Sequence, residues 1–262
     1  MSSLIYYFTS TGNSLETARI LGQKLGARLI SIAALDKESS LVCTADCIGI
    51  VYPVYYCGPP LIVRRFAEKL KVSNPQAYIF TTATYGGLAI TGGDRLKKIL
   101  QKNGVVLNAF YALKMPGNYT VLYGAPAAKT IARILHKAQA SLDRLAKQIL
   151  SRKQNQPERF LNFLGNIFYQ RASAGFAQSS RKFWVKDVCS SCGICGRVCP
   201  AHNIYLQNGR PNWLERCEHC LACLHWCPTG AIEWGKATRG RRRYHHPAVS
   251  VLDIEKSRRY SA

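Results

Sequence analysis

Cys189-Ser-Ser-Cys192-Gly-Ile-Cys195-Gly-Arg-Val-Cys199-Pro200 and, further on, Cys217-Glu-His-Cys220-Leu-Ala-Cys223-Leu-His-Trp-Cys227-Pro228 set the course of the last third of this chain. Each run reads C-x2-C-x2-C-x3-C-P, the bacterial pattern that holds a 4Fe-4S cubane. The second run repeats the first at an offset of 28 residues, carrying Pro200 onto Pro228 and Ile204 onto Ile232, so the pair reads as a duplicated half-site. Three sulfurs at this spacing wrap one corner of a cubane while the intervening N–H groups point at its sulfides. The fourth ligand must come from elsewhere. Small apolar residues, Ile194, Leu221, Ile204 and Ile232, would keep water out. Paired C-x2-C motifs also build tetrahedral zinc sites. Those usually offer four ligands in two separated pairs, whereas here three equally spaced cysteines and a fourth before proline occur twice.

The two runs resemble those of two-cluster bacterial ferredoxins, in which the fourth cysteine of each run binds the other cluster. That resemblance assigns Cys189, Cys192, Cys195 and Cys227 to one cluster and Cys217, Cys220, Cys223 and Cys199 to its twin. His202, His219 and His225 lie among these ligands. With the sulfur positions filled, hydrogen bonding to sulfur or solvent is their expected role.

The chain has 262 residues, enough for two domains, and the cluster unit needs only about fifty of them because clusters replace much of a core. No run of 18 or more apolar residues occurs, and Met1-Ser-Ser lacks a basic n-region, so a cytoplasmic protein is expected. Reduced thiolates fit a reducing, low-oxygen interior. Cys43 and Cys47 read as buried free thiols.

The formal charge is +22. Residues 1–150 carry 18 Lys and Arg against 7 Asp and Glu, while the cluster segment is the least basic part. Such a surface steers toward acidic partners, nucleic acid or anionic lipid. Acidic redox proteins, meaning ferredoxin-type or flavodoxin-type donors and reductases, are the preferred partners for a cluster protein.

Upstream, Leu4 to Phe8 reads as a buried strand running into Thr9-Ser10-Thr11-Gly12-Asn13-Ser14 and then a helix with Leu15, Ala18, Leu21 and Leu25 on one face. A strand, a hydroxyl-rich turn and a helix N-terminus form a phosphate cradle. The turn is neither G-x-G-x-x-G nor a Walker A loop. Further strands are predicted at Arg28 to Ser31, Cys47 to Tyr52, Ala77 to Ala83 and Val105 to Leu113. Helices are predicted at Leu61 to Leu70, Asp94 to Lys102 and along the stripe from Ile131 to Ile149. This alternation gives a doubly wound parallel sheet whose ligand sits beyond the strand carboxyl ends. Three loops meet that edge: Thr9 to Ser14, Pro53 to Pro60 and Thr84 to Gly87.

Here the first half resembles a flavodoxin. The resemblance implies FMN, with Thr9, Ser10, Thr11, Gly12, Asn13 and Ser14 on its phosphate. Pro53, Val54, Tyr55, Tyr56, Cys57 and Gly58, and Thr84, Tyr85, Gly86 and Gly87, would lie in the loops around the ring. Cys57 reads as a ring neighbour or packing residue, because no histidine lies near it in sequence. As a whole the chain resembles a bacterial and archaeal family of single-chain flavodoxin-ferredoxin fusions, a likeness extending to Phe183-Trp-Val and Arg243-Tyr-His-His-Pro247. The expected fold is therefore α/β, a flavodoxin-like domain over 1–152 followed by a small α+β ferredoxin domain over 183–236.

Between them, 153–182 reads as a basic amphipathic linker with apolar positions Phe160, Leu161, Leu164, Ile167 and Phe168, expected to dock on the chain's own domains rather than lie on a membrane. Residues 237–262 form a basic tail in which Arg239-Gly-Arg-Arg-Arg243 reads as a solvated arm or a docking site. The expected function is electron transfer, two 4Fe-4S clusters and FMN coupling one-electron and two-electron carriers. A flavin-dependent reductase of a quinone, corrinoid or similar acceptor is the alternative, and a basic nucleic-acid-binding cluster protein a third.

Overall fold

A computed structural model of the chain describes residues 2–87, 92–156 and 162–259, apart from the side chains of Asn162, Phe163, Leu164 and Asn166. The first half holds β1 (Ser3–Tyr7), α1 (Asn13–Leu25), β2 (Arg28–Ser31), β3 (Leu41–Cys43), β4 (Cys47–Pro53), α2 (Leu61–Lys69), β5 (Leu70–Val72), β6 (Tyr78–Tyr85), α3 (Gly93–Lys102), β7 (Ala109–Lys114) and α4 (Ala128–Leu150). Then come α5 (Asn162–Ala174), β8 (Phe183–Val185), α6 (Ile194–Arg197), β9 (Ile204–Gln207), β10 (Arg210–Trp213), α7 (Ala222–His225), β11 (Ile232–Trp234) and α8 (Val251–Lys256).

Five strands form one sheet in the order β2-β1-β4-β6-β7, every pair parallel. Numbering these strands alone, that is the 2-1-3-4-5 order of flavodoxin-like doubly wound sheets. Helices cover both faces, so β4 is an almost uninterrupted apolar run, buried from Cys47 to Tyr52. Alternate residues feed opposite cores. Tyr6, Phe8, Ile48, Ile50 and Tyr52 pack with Ile62 and Phe66 of α2 and Leu96 of α3. Ile5, Tyr7, Val51 and Phe80 pack with Leu15, Ala18 and Leu21 of α1 and Ala138 and Leu142 of α4. Cys43 and Cys47 are buried free thiols in these cores. The short parallel pair β3 and β5 was not expected from the sequence.

The second half is a small module in which β8 pairs with β11 and β9 with β10, both antiparallel. Its backbone repeats as its sequence does. Helix α7 stands 28 residues after α6, and the left-handed residues Ser191, Gly193 and His202 recur as His219, Leu221 and Gly230. The core of the first half does not stop at the module: Val198, Ala222, Trp226, Val249 and Ile254 belong to the same cluster as α1 and α4.

The tail is not a solvated arm. Arg241 donates to the Thr120 carbonyl at 2.9 Å, Arg242 to that of Ala125 at 2.9 Å, and Arg243 to the Glu233 carboxylate at 2.7 Å. Helix α8 then fastens both halves, Asp253 pairing with Arg19 at 2.5 Å and Glu255 with Arg197 at 2.7 Å. In the linker, α5 docks as expected, but through Tyr169 and the following Phe176, both buried, while Ile167 and Phe168 stay exposed. Phe160 and Leu161, and the side chain of Leu164, lie outside the described residues. Among the described residues no helix is long and apolar enough to cross a membrane.

Candidate functional site

Two narrow spaces in the small module are walled by cysteine. One is bordered by Cys189, Cys192, Cys195 and Cys227. The other is bordered by Cys199, Cys217, Cys220 and Cys223. Each run therefore gives three cysteines to one wall and its last cysteine to the other. The turns that do this need left-handed residues, and Leu221 adopts φ 58° at the N-terminus of α7, where its partner in the first run is Gly193 at φ 71°. A branched side chain in that conformation is strained, and the closely packed loop holds it there.

The remaining lining mixes apolar and polar groups: Ile194, Leu206 and Ile232 with Ser190, Ser191 and Thr229 at the first space, Phe183, Ile204 and Leu221 with Asn203 and Glu218 at the second. Backbone N–H groups of Asn203, His219 and Ala231 donate to the sulfurs of Cys199, Cys217 and Cys227, each at 3.3 Å. The Asn203 side-chain Nδ2, bordering the second space, is a buried donor without an acceptor. Among the described residues no three His, Cys, Asp or Glu side chains converge as ligands of a single metal ion. Four soft sulfurs set around each space, with backbone N–H groups already aimed at three of the sulfurs, suit a larger sulfur-liganded group.

The rings of the three histidines bond to protein groups other than sulfur. His219 pairs with Ser179 at 2.9 Å and Tyr119 at 3.2 Å. His225 donates from Nε2 to the Asn118 carbonyl at 2.8 Å while its Nδ1 accepts the Tyr244 N–H at 3.1 Å, which fixes the neutral ring. His202 meets Arg258 at 2.6 Å. Sequence reasoning also missed Glu218. Buried between Cys217 and His219, it accepts the Ile62 N–H at 3.1 Å and pairs with Arg65 at 2.9 Å, tying the second cysteine loop to α2. A lone acid between two motif positions carries no signal of that reach. Beside it opens a cavity of about 670 Å³ bordered by Lys37, Arg65, Arg216, Arg258 and Cys217.

The three sheet-edge loops also come together, but their polar groups face the chain itself. Thr9, Ser10, Thr11, Asn13 and Ser14 are all 8% exposed or less. Thr9 Oγ1 accepts the Gly12 N–H at 3.1 Å, Ser10 Oγ accepts Tyr55 OH at 2.9 Å, and Thr11 Oγ1 accepts Asn118 Nδ2 at 2.5 Å. Asn13 donates to the Pro116 carbonyl at 3.1 Å and accepts Tyr244 OH at 2.7 Å, and Ser14 pairs with Thr84 at 2.8 Å. The carbonyls of Ser10 and Thr11 take the Trp226 indole and the His246 N–H, each at 2.8 Å.

At the ring loops, Tyr55 and Gly58 close a tight turn with Tyr56 and Cys57 at φ 49° and 67°. Cys57 is half-buried, its thiol pushed up by burial. Tyr56 packs among Tyr119, Phe176 and His219, Gly58 lies against the ring of Tyr169, and Gly86 against Gly117. Pro53 and Val54 continue β4 into this turn, Thr84 and Tyr85 end β6, and Gly87 stands open. In the Thr9 to Ser14 loop, Thr9, Ser10 and Thr11 accept in their hydrogen bonds, so their hydroxyl hydrogens and, among the described residues, the backbone N–H groups of Ser10, Thr11, Asn13 and Ser14 remain as donors that suit a phosphate.

No family model matches the chain, and none of the curated proteins matches it. Solved structures do match. A flavodoxin from Streptococcus pneumonia TIGR4 is 15% identical with a TM-score of 0.37, covering 58% of this chain and 99% of that one. A flavodoxin from the domain Archaea is 16% identical with a TM-score of 0.35, covering 57% and 99%. The Trp repressor binding protein from Bacillus subtilis is 17% identical with a TM-score of 0.35, covering 55% and 97%. At these scores the likeness carries no argument about cofactor or activity. The parallel strand order is what assigns the first half to the flavodoxin-like sheets.

Proposed function

We propose that the chain is an electron carrier with two 4Fe-4S clusters, one on Cys189, Cys192, Cys195 and Cys227 and the other on Cys199, Cys217, Cys220 and Cys223. The observation that carries this reading is the division of the eight sulfurs, four around each of two internal spaces, in the crossed pattern of two-cluster ferredoxins. When bound, such clusters accept and donate single electrons at potentials set by hydrogen bonds to sulfur and by exclusion of water.

The chain's own groups supply both controls. The Asn203, His219 and Ala231 N–H groups lower the charge felt at their sulfurs. Ile194, Ile204, Leu221 and Ile232 shield part of the remainder while Cys192 stays exposed, and the Leu221 turn aims the cysteine loop inward. The charge of +22 steers the molecule toward acidic redox partners, and Lys37 and Arg216, beside the cavity that reaches Cys217, offer them a landing edge.

Anaerobic reconstitution tests the assignment. The full chain should take up about eight iron atoms, and Cys189→Ser and Cys227→Ser should disturb the same electron paramagnetic resonance signal, while Cys199→Ser and Cys217→Ser disturb the other. A chain that stays colourless and iron-free after reconstitution sinks the proposal, and Cys227→Ser grouping with Cys217→Ser sinks the crossed assignment.

A further inference from the structure

We infer that the cavity between α2 and the second cysteine run is a binding site for a small organic dianion, a dicarboxylate or a phosphate monoester, which comes to rest beside Cys217. The space holds about 670 Å³, and small-molecule sites span roughly 300–1,000 Å³. Small side chains make the room: Ala33 and Ala34 after β2, Ala177 after α5 and Ala201 after the first cysteine run. Among the described residues on its border, the four cations Lys37, Arg65, Arg216 and Arg258 stand against the two carboxylates of Asp36 and Glu218. The excess of positive charge matches a dianion.

The cations fall into two kinds. Arg65 and Arg258 are held in place. Arg65 lies between Asp36, at 3.0 and 3.1 Å, and Glu218, at 2.9 Å, and so uses both carboxylates of the border. Arg258 donates to the Gly196 carbonyl at 2.7 Å and to His202 Nδ1 at 2.6 Å. Lys37 and Arg216 are left over. No ion pair holds either among the described residues, and the Arg216 guanidinium meets only the His202 carbonyl, at 3.5 Å.

His202, also on the border, adds a directed donor. A guanidinium only donates, so the bond from Arg258 makes Nδ1 the acceptor and puts the ring proton on Nε2. Among the described residues no acceptor takes that N–H. Burial first, then the charges of Arg258, Lys37 and Arg216, hold this ring below its ordinary pKa, so the three cations bear on the same point. An anion there would meet two unpaired cations and an N–H donor without breaking an existing ion pair. The same two cations offer a redox partner its landing edge, but one carboxylate side chain reaching in would leave most of this volume empty. An organic acid with an apolar body also suits Leu61 and the alanines.

The site stands on these groups alone and does not depend on the clusters. Succinate and glycerol phosphate are each titrated into the reconstituted full chain in a calorimeter at about 0.15 M salt, and iron is assayed on the same sample. At least one of the two should bind one to one, the tighter telling which headgroup the site takes. Lys37→Ala with Arg216→Ala should weaken that binding at least about tenfold. Lys129→Ala with Arg133→Ala removes the same charge from exposed positions on α4 and should change it less than about twofold. Absence of saturable binding by either probe overturns the inference. So does an equal loss in both double variants, which would mean that the overall charge of +22 draws anions anywhere on the surface. An iron-free sample that binds as expected overturns the cluster proposal and leaves this site standing.

Discussion

Tyr244 and His246 each hold a loop residue more than two hundred positions earlier in the chain, and both bonds are buried. Tyr244→Phe should leave Asn13 Oδ1 buried without its donor, costing about 1–3 kcal/mol. Urea denaturation of the reconstituted protein measures it, and a loss within error would mean that water replaces the phenol. His246 gives a pH dependence. Burial first, then the nearby Arg19 and His245 charges, depress its folded pKa from 6.5 to about 4. A depressed histidine is neutral when folded, so its contribution is complete above the unfolded value near 6.5. It is lost as pH falls from there toward 4. His246→Asn, whose amide oxygen can replace Nδ1 as acceptor for the Ala248 N–H, should lose less stability between pH 7 and pH 5 than the parent; equal losses would count against the assignment. At this scale the sequence showed the hydroxyl turn and the helix behind it. It could not show the bond from the tail, because nothing in Thr9 to Ser14 names a tyrosine 231 residues away.

Gly58 shows how one element sits on another. A methyl at that position would run into the ring of Tyr169, whose hydroxyl donates to the Pro59 carbonyl at 2.6 Å and whose ring faces the Arg95 guanidinium. Gly58→Ala should therefore lift α5 from the first half at a cost of about 1–3 kcal/mol. Faster proteolysis between α4 and β8 would report it, and an unchanged cleavage rate would show that α5 docks without this contact. The elements themselves were largely legible. The five sheet strands follow apolar runs, and the 28-residue repeat of the cysteine motif is matched by a repeat of helices and left-handed turns. The pair of β3 and β5 was not legible, since three residues each give no period to read. Helix α8 was missed for a different reason: its capping box, Ser250 with Asp253, opens only six residues of helix in a basic background.

Over the whole molecule, 14 acids stand against 36 Lys and Arg. Two acids are buried, Glu218 on Arg65 and Glu233 on Lys186 and Arg243, and the large positive excess stays on the rest of the molecule. Electron transfer to an acidic acceptor should therefore slow steeply with ionic strength, and Lys37→Glu with Arg216→Glu should flatten that slope. Stopped-flow rates across a salt series decide it, a flat parent profile being the contrary result. Both halves were legible as separate units from their own motifs. Their mutual placement was not, because it depends on Trp226, Tyr244 and Glu218, ordinary residues in sequence that matter only through what they reach. The bond from Tyr244 to Asn13 also puts the chain's assembly in order. At roughly 5–20 residues per second of synthesis, about 10–50 s separate the emergence of the first partner from that of the second. Throughout that interval a nascent sheet stands on the ribosome with the Asn13 amide still lacking the phenol that later holds it.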